Sequence, residues 1–157
     1  MQKITPLLWF DGKAEEAMNF YVSIFKNSKV RGVARFGDAG PGPKGSVMTA
    51  AFTLDGQDFV ALNGGPHFKF TEAISFVVNC ETQQEVDEMW AKLSKGGSEG
   101  DCGWLKDKYG LSWQIVPTVL PKLLQDKDPE KAKRVMNAML QMHKIDIARL
   151  QAAADRG

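Results

Sequence analysis

Few side chains in this sequence could hold a metal ion or act as a nucleophile. The chain has two histidines, His67 and His143, and two cysteines, Cys80 and Cys102. Neither cysteine belongs to a Cys-x-x-Cys pair or stands at a zinc-site spacing from a histidine. We therefore expect reduced, structural cysteines, since no residue near Cys102 in the sequence could act as its base. No catalytic residue can be assigned.

A second group of candidates consists of aromatic and neutral polar side chains within apolar runs. Large rings suit a pocket for a flat or apolar ligand, and a buried amide or hydroxyl needs a partner that a ligand could supply. The alternatives are core packing for the rings and a backbone partner at a strand end for the polar groups. Ser75 and Thr49 fit the polar description. The predicted ligand-binding residues are Trp9, Asn63, Phe76, Trp104, Trp113 and Gln114.

The composition is that of an ordinary globular domain. The 157 residues carry a net charge of +1, with 43% apolar and 25% charged residues. This balance argues against disorder and against broad electrostatic attraction to nucleic acid. No apolar run approaches the roughly 20 residues that a membrane span needs. We expect a cytoplasmic protein whose partner is a small organic molecule, not a nucleic acid or a membrane.

The elements that must position these residues follow one order twice. In each half a strand precedes a helix, and a hairpin comes later; Asp55-Gly56 and Tyr109-Gly110 mark the turns. Such an order predicts an α+β protein built from two similar units, each contributing half of a cavity. The first half has predicted strands at 4–10, 30–36, 47–54 and 58–62, and a helix at 14–25. The second has strands at 73–80, 103–106 and 111–116, and a helix at 82–94.

The residues after Val119 predict helices. Pro121 is expected to begin a short helix, and Asp128 to cap a long helix that runs to about Ala154. Its apolar stripe must cover a sheet or meet a partner chain. His143 lies in that stripe, so we expect it to pack there or to face a partner subunit.

Four stretches between residues 4 and 118 carry a family resemblance. They are 6–12, 14–21, 62–66 and 102–117, the last reading CGWLKDKYGLSWQIVP. They resemble the vicinal oxygen chelate superfamily, which includes glyoxalase I, bleomycin-resistance proteins and extradiol dioxygenases. The closest resemblance is to its PhnB-like branch, whose members are often named 3-demethylubiquinone-9 3-methyltransferase domains, and the tail at 128–147 also resembles this branch.

This resemblance implies an architecture. Two βαβββ modules, 1–66 and 72–118, would form an incomplete mixed β-barrel that holds a ligand in its concavity. Residues 119–157 would be a C-terminal helical extension of the same domain. The resemblance also implies a homodimer, in which the modules pair either within one chain or between subunits.

The resemblance further implies four positions for metal ligands. Enzymes of the superfamily bind a divalent metal there through His, Glu or Gln. The positions fall at Thr5 or Pro6, Val60, Ser75 and Gln114. Only Gln114 offers a fitting donor, so we expect no standard metal site and no cofactor. The alternative is a divalent metal held by Glu99, His67 and Gln114.

Three functions remain open. The first is a glyoxalase-superfamily protein that binds a small organic molecule without the standard metal site. The second is a metal-dependent lyase, isomerase or dioxygenase of the vicinal oxygen chelate type. The third is an interaction protein that acts through its C-terminal helix. Methyl transfer from a nucleotide cofactor rests on the branch name alone, because the glycines of 37–45 begin no helix.

Overall fold

Each half of the chain builds one four-stranded mixed sheet with a helix on one face. The computed structural model describes residues 2–156, and the chain divides into two units between Phe70 and Thr71. In the first unit the elements are β1 (Leu7–Phe10), α1 (Ala14–Ile24), β2 (Lys29–Arg35), β3 (Val47–Leu54) and β4 (Gln57–Asn63). In the second they are β5 (Ser75–Cys80), α2 (Gln83–Ser94), β6 (Ser98–Glu99), β7 (Trp104–Lys106) and β8 (Ser112–Pro117), followed by α3 (Val119–Leu124), α4 (Pro129–Met139) and α5 (Ile147–Asp155).

The two sheets have the same topology. Their strand orders are β1-β4-β3-β2 and β5-β8-β7-β6, and in each the first two strands are parallel and the others antiparallel. The predicted α+β class, with two βαβββ modules and C-terminal helices, is confirmed. Within residues 2–156 the sheets are open, and neither closes into a barrel.

Each helix covers one face of its own sheet. The apolar stripe of α1 is buried, and Tyr21 on this helix lies 6.2 Å from Phe52 of β3, measured between ring centroids. In the second unit Thr82, where the predicted helix begins, caps α2, because its side chain accepts a hydrogen bond from the Glu85 N–H. Trp90 of α2 donates from its indole nitrogen to the Glu99 carboxylate on β6 at 3.0 Å. Strand alternation then assigns every other residue to the opposite, uncovered face.

The C-terminal extension differs from the prediction. The expected long helix from Asp128 to Ala154 is wrong, because α4 ends at Met139 and α5 begins only at Ile147. Asp146 caps this second helix by accepting from the Arg149 N–H. The N–H groups of residues 140–142 still bond to carbonyls of α4, but the carbonyls of Met142, His143 and Ile145 accept from Cys102, Gly103 and Gln83. These tertiary contacts override the helical pattern.

Two smaller differences concern short elements. The helix α3 begins at Val119, so Pro121 lies in its first turn and does not start it. The two-residue strand β6 was not predicted, because two residues are too few to show alternation.

A cluster of buried apolar residues joins the three C-terminal helices: Leu120, Val135, Met142, Ile145, Leu150 and Ala154. No helix within residues 2–156 is long and apolar enough to cross a bilayer.

Candidate functional site

The uncovered face of the first sheet is occupied by a tryptophan and its own chain. Trp9 points to this face, and its indole nitrogen donates to the Gly65 carbonyl at 2.8 Å. The Phe68 ring packs edge-on against the indole at 4.8 Å between centroids. A Cβ on Gly64 would overlap the Trp9 ring, so glycine is required for this close approach. The segment 64–68 therefore lies over Trp9 and satisfies its polar group.

Asn63 joins three elements of the first unit. Its Oδ1 accepts from the Ala14 N–H at the start of α1, at 2.9 Å, and its Nδ2 donates to the Val47 carbonyl at the start of β3, at 3.0 Å. Both ends of the side-chain amide are thus bonded to backbone groups. This is the structural alternative that the sequence left open for Asn63.

The uncovered face of the second sheet carries a row of polar residues. Strand register places Ser75, Ser112, Lys106 and Ser98 side by side across β5, β8, β7 and β6. A cavity of about 430 Å³ lies at this row. The residues that line it include Ser98, Gly100, Asp101, Trp104, Lys106 and Ser112.

Ser112 stands out among the residues that line this cavity. It is 1% exposed, and its Oγ is the one buried side-chain polar atom without a hydrogen-bond partner in the described part of the chain. An unpaired buried hydroxyl costs about 1 to 3 kcal/mol. Because the Oγ atom is covered, the Ser112 side chain must turn to present its donor and its acceptor to a molecule in the cavity.

A charged pair adjoins Ser112. Glu72 also lines the cavity, and its carboxylate bonds to the Lys106 ammonium. The hydrogen bond and charge of Lys106 lower the pKa of Glu72 below its usual value. Both side chains are about half exposed, so the pair is screened by water. Its main effect is to fix the Lys106 side chain beside the cavity.

Two of the predicted site residues lie on this face of the second sheet. Trp104 lines the cavity, and Gln114 is its direct neighbour on β8. The Gln114 amide donates to the Ser75 hydroxyl at 2.9 Å, so these two polar side chains satisfy each other. Trp104 and Gln114 are thus brought together on the cavity face.

Trp113 and Phe76 lie on the helix-covered face instead. They are register neighbours, and their ring centroids are 5.6 Å apart. Trp113 is 3% exposed, and its indole nitrogen donates to the Asp107 carboxylate. These rings support the sheet from the side opposite the cavity, which is the core alternative stated for aromatic residues.

The side chain of Asp107 accounts for the residue pattern within 102–117, the longest of the stretches that carry the family resemblance. Its carboxylate is 2% exposed and accepts from the N–H groups of Tyr109, Leu111 and the Trp113 indole at 2.9 to 3.1 Å. These bonds close the β7–β8 hairpin, and Gly110 has the positive φ of +86° that such a turn requires. The Asp-x-Tyr-Gly-x-x-Trp spacing is therefore a structural motif that places Ser112 and Gln114.

The ligand positions implied by the superfamily do not fit a divalent metal. Ser75 and Gln114 are neutral and bonded to each other, and neither supplies the imidazole or anionic character that such ions prefer. Glu99 lies on the α2 side of the sheet and Gln114 on the other, so these two cannot share one ion. Within residues 2–156 no three His, Cys, Asp or Glu side chains converge.

The cysteines and histidines occupy different environments. Cys80 is buried, and burial, with the nearby charges of Glu85 and Glu81, raises its pKa to about 12. Its thiol is therefore inert at neutral pH. Cys102 lies in the turn at the cavity wall and has a φ of +57°. His67 is exposed, and His143 contacts Asp101 at 2.8 Å between Nδ1 and Oδ1.

The polar row of Ser98, Lys106 and Ser112 was not predicted from the sequence, and neither was Glu72. The only signal was that Ser112 and Gln114 alternate with apolar residues along β8. That alternation shows that they share a face. It does not show which neighbours the register would bring beside them, because β6 and the loop before β5 were not resolved by pattern.

The comparisons with known proteins agree with this fold. The sequence model of the family described as 3-demethylubiquinone-9 3-methyltransferase matches residues 2–116. None of the curated proteins matches the chain. A solved structure described as a putative 3-demethylubiquinone-9 3-methyltransferase, PhnB protein, from Bacillus cereus is 43% identical. The alignment has a TM-score of 0.69 and covers 74% of this chain and 100% of that chain.

Two other solved structures are similar at lower identity. Protein PA1353 from Pseudomonas aeruginosa is 20% identical, with a TM-score of 0.62, over 74% of this chain and 98% of that chain. The genomically encoded fosfomycin resistance protein FosX from Listeria monocytogenes is 14% identical, with a TM-score of 0.54, over 78% of this chain and 97% of that chain. At these identities the likeness concerns the fold alone.

Proposed function

Because this chain belongs to the 3-demethylubiquinone-9 3-methyltransferase family, the PhnB-like branch of the vicinal oxygen chelate superfamily, we propose that it binds a small organic molecule without the standard metal site. The binding site is the cavity on the uncovered face of the second sheet. The observation that carries the proposal is the unpaired Ser112 hydroxyl in this cavity. A ligand group that pairs with it recovers the cost of its burial.

The chemistry of the cavity defines the kind of ligand. The Trp104 ring favours a flat, largely apolar molecule. Ser112 Oγ favours one hydroxyl or carbonyl group on that molecule. Lys106 and Glu72 already neutralise each other, so no strong charge on the ligand is required. The proposed ligand is an aromatic or similarly flat compound with one polar substituent.

The test compares two probes that differ by one hydroxyl. We expect 1-naphthol to bind the protein about fivefold more tightly than naphthalene, as one hydrogen bond to Ser112 would give. Binding is measured from the shifts of the Trp104 and Ser112 amide resonances during titration. The Ser112→Ala variant is expected to bind both probes equally. The Ser98→Ala variant, which removes an exposed serine of the same row, should keep the preference.

Two results would contradict this proposal. One is an absence of shifts at the cavity residues at saturating probe concentrations. The other is an equal preference for 1-naphthol in the wild type and in Ser112→Ala. Either result would mean that the cavity does not select ligands through this hydroxyl.

The alternative functions have less support. A metal-dependent lyase, isomerase or dioxygenase would need donors that the positions around Gln114 and Ser75 do not supply. Methyl transfer is suggested by the family's name. The three strand-to-helix connections of the described chain, 11–13, 81–82 and residue 118, contain one glycine in total, whereas the dinucleotide-binding turn contains three. An interaction through α4 would rest on the exposed Met136 and on Leu140 beside it, too few for a docking patch.

The exposed apolar residues on the open sheet faces support a homodimer as the assembly. Leu7 is 54% exposed and Val77 is 49% exposed, and each lies on the face away from its helix. Burying such side chains against a second copy is favourable. Light scattering is expected to give the dimer mass for the wild type and the monomer mass for Leu7→Glu with Val77→Glu. A wild-type monomer at high protein concentration would contradict the proposed homodimer.

The cytoplasmic location of the protein stays a prediction.

A further inference from the structure

The segment between α4 and α5 is bonded to a wall of the cavity. The Cys102 N–H donates to the Met142 carbonyl and the Gly103 N–H to the His143 carbonyl, both at 2.8 Å. The turn of residues 100–103, which these bonds hold, includes the cavity residues Gly100 and Asp101. The His143 ring also contacts the Gly100 carbonyl at 3.3 Å.

The backbone of the turn at 100–103 is strained, so contacts from outside the turn are needed to stabilise its conformation. Cys102 has a φ of +57°, which non-glycine residues rarely adopt. Gly103 is pressed between two neighbours, since a Cβ there would lie 2.9 Å from the Ile115 carbonyl oxygen and 3.2 Å from Ile145 Cγ1. The turn is thus fixed by β8 on one side and by the 140–146 segment on the other.

One side chain of α2 anchors that segment. Gln83 donates from Nε2 to the Ile145 carbonyl at 3.0 Å, and its Oε1 accepts from the Ile147 N–H at 2.7 Å. The amide therefore pins the chain on both sides of Asp146. Gln83 is not among the residues that line the cavity, so it acts on the cavity only through the segment.

The extension lies outside the residues that the family model matches. The family match ends at residue 116, and the Bacillus cereus structure is matched over its whole length by 74% of this chain. We propose that the extension is a positioning element of the binding site, which holds the turn at 100–103 and thereby sets the shape of the cavity. Gln83 and the segment 140–146 are its positioning residues. The effect on ligand affinity rests on the proposed function, whereas the effect on the turn does not.

The test removes the anchor and follows the turn. We expect Gln83→Ala to increase the amide hydrogen exchange of Cys102 and Gly103 by about tenfold, as the loss of one or two hydrogen bonds predicts. The amides of the β5–β8 pair should keep their wild-type rates. The matched control is Lys92→Ala, which removes an exposed ion pair with Glu88 on the same helix and should change neither set.

A conservative variant separates positioning from general destabilisation. Gln83→Glu keeps an acceptor for the Ile147 N–H but cannot donate to the Ile145 carbonyl, so it should give exchange rates between those of the wild type and Gln83→Ala. With 1-naphthol as the probe, affinity should fall severalfold in Gln83→Ala and less in Gln83→Glu.

The exchange rates decide this inference without any ligand. Unchanged exchange at Cys102 and Gly103 in Gln83→Ala would overturn it. So would an increase shared equally by the β5–β8 amides, because that would be loss of overall stability. A failure of 1-naphthol to bind the wild type would overturn the proposed function and leave the exchange result standing.

Discussion

The two units have the same strand order, but the sheet faces away from their helices differ in what lies on them. In the first, the segment 64–68 lies over Trp9 and accepts its N–H. In the second, no segment within the described residues 71–156 pairs with Ser112, and there is a cavity of about 430 Å³. A repeated fold can therefore keep one face for its own chain and leave the other for a ligand. In the proposed function, the face that binds the ligand is the one whose buried polar group has no partner.

The largest effect is expected at the hairpin that shapes the second face. Asp107→Ala removes the acceptor of three N–H groups in a buried position, and we expect a loss of about 3 kcal/mol in the free energy of unfolding. Urea denaturation measures it. The first unit's hairpin supplies the control, because Asp55 is exposed with a φ of +47°, which asparagine tolerates. Asp55→Asn should change stability by less than about 0.5 kcal/mol. Similar losses in both would show that the hairpins are equivalent.

The next effect concerns the covering of the first face. Gly64→Ala places a methyl group where the Trp9 ring lies, so the ring must move, at a cost of about 2 kcal/mol. Thermal unfolding and the Trp9 indole resonance report the change. Gly32→Ala is the matched control, because a Cβ there meets nothing within 4 Å. An unchanged Trp9 resonance in Gly64→Ala would contradict the proposed role of this glycine.

Two serines of one row should respond with opposite signs. Ser112→Ala removes an unpaired buried hydroxyl, so we expect the free energy of unfolding to rise by about 1 kcal/mol without ligand. Ser75→Ala removes the acceptor of the Gln114 amide and should lower it by about 1 kcal/mol. Both values come from urea denaturation. Destabilisation by Ser112→Ala would mean that the hydroxyl has a partner in solution.

The smallest effect is electrostatic. In Lys106→Gln the pKa of Glu72 should rise towards its usual value, because Lys106 is the main cause of its lowering. The pair stabilises the fold above the unfolded-state pKa, and this contribution is lost as the pH falls through the lower folded-state pKa. Carbon-13 titration of the carboxyl measures the shift. Lys144→Gln should instead raise the pKa of Asp87, to which Lys144 bonds, and leave Glu72 unchanged.

Much of the fold could be predicted from the sequence, because its signals are local. Residues only a few positions apart predict the helices at 14–25 and 82–94 and the turn at Asp55-Gly56, and the structure has these elements. The long C-terminal helix was wrong because Met142 and His143 bond to a turn some forty residues earlier, which periodicity does not report.

The candidate site was less predictable than the fold. Trp104 and Gln114 were chosen for their residue types, and the structure places both on the cavity face. Trp113 was chosen by the same reasoning, although its neighbour in the chain, Gln114, points to the other face. Ser112 has an ordinary residue type, and its significance comes only from its burial and missing partner.

The contrast between the two cysteines gives the protein a natural labelling position. Burial raises the pKa of Cys80 to about 12, so its thiol stays protonated at pH 7 and should not react with thiol reagents. Cys102 is partly exposed, in the turn beside the cavity. A single fluorophore or spin label could therefore be attached at the cavity wall of the unmodified chain, and it would report movements of that wall directly.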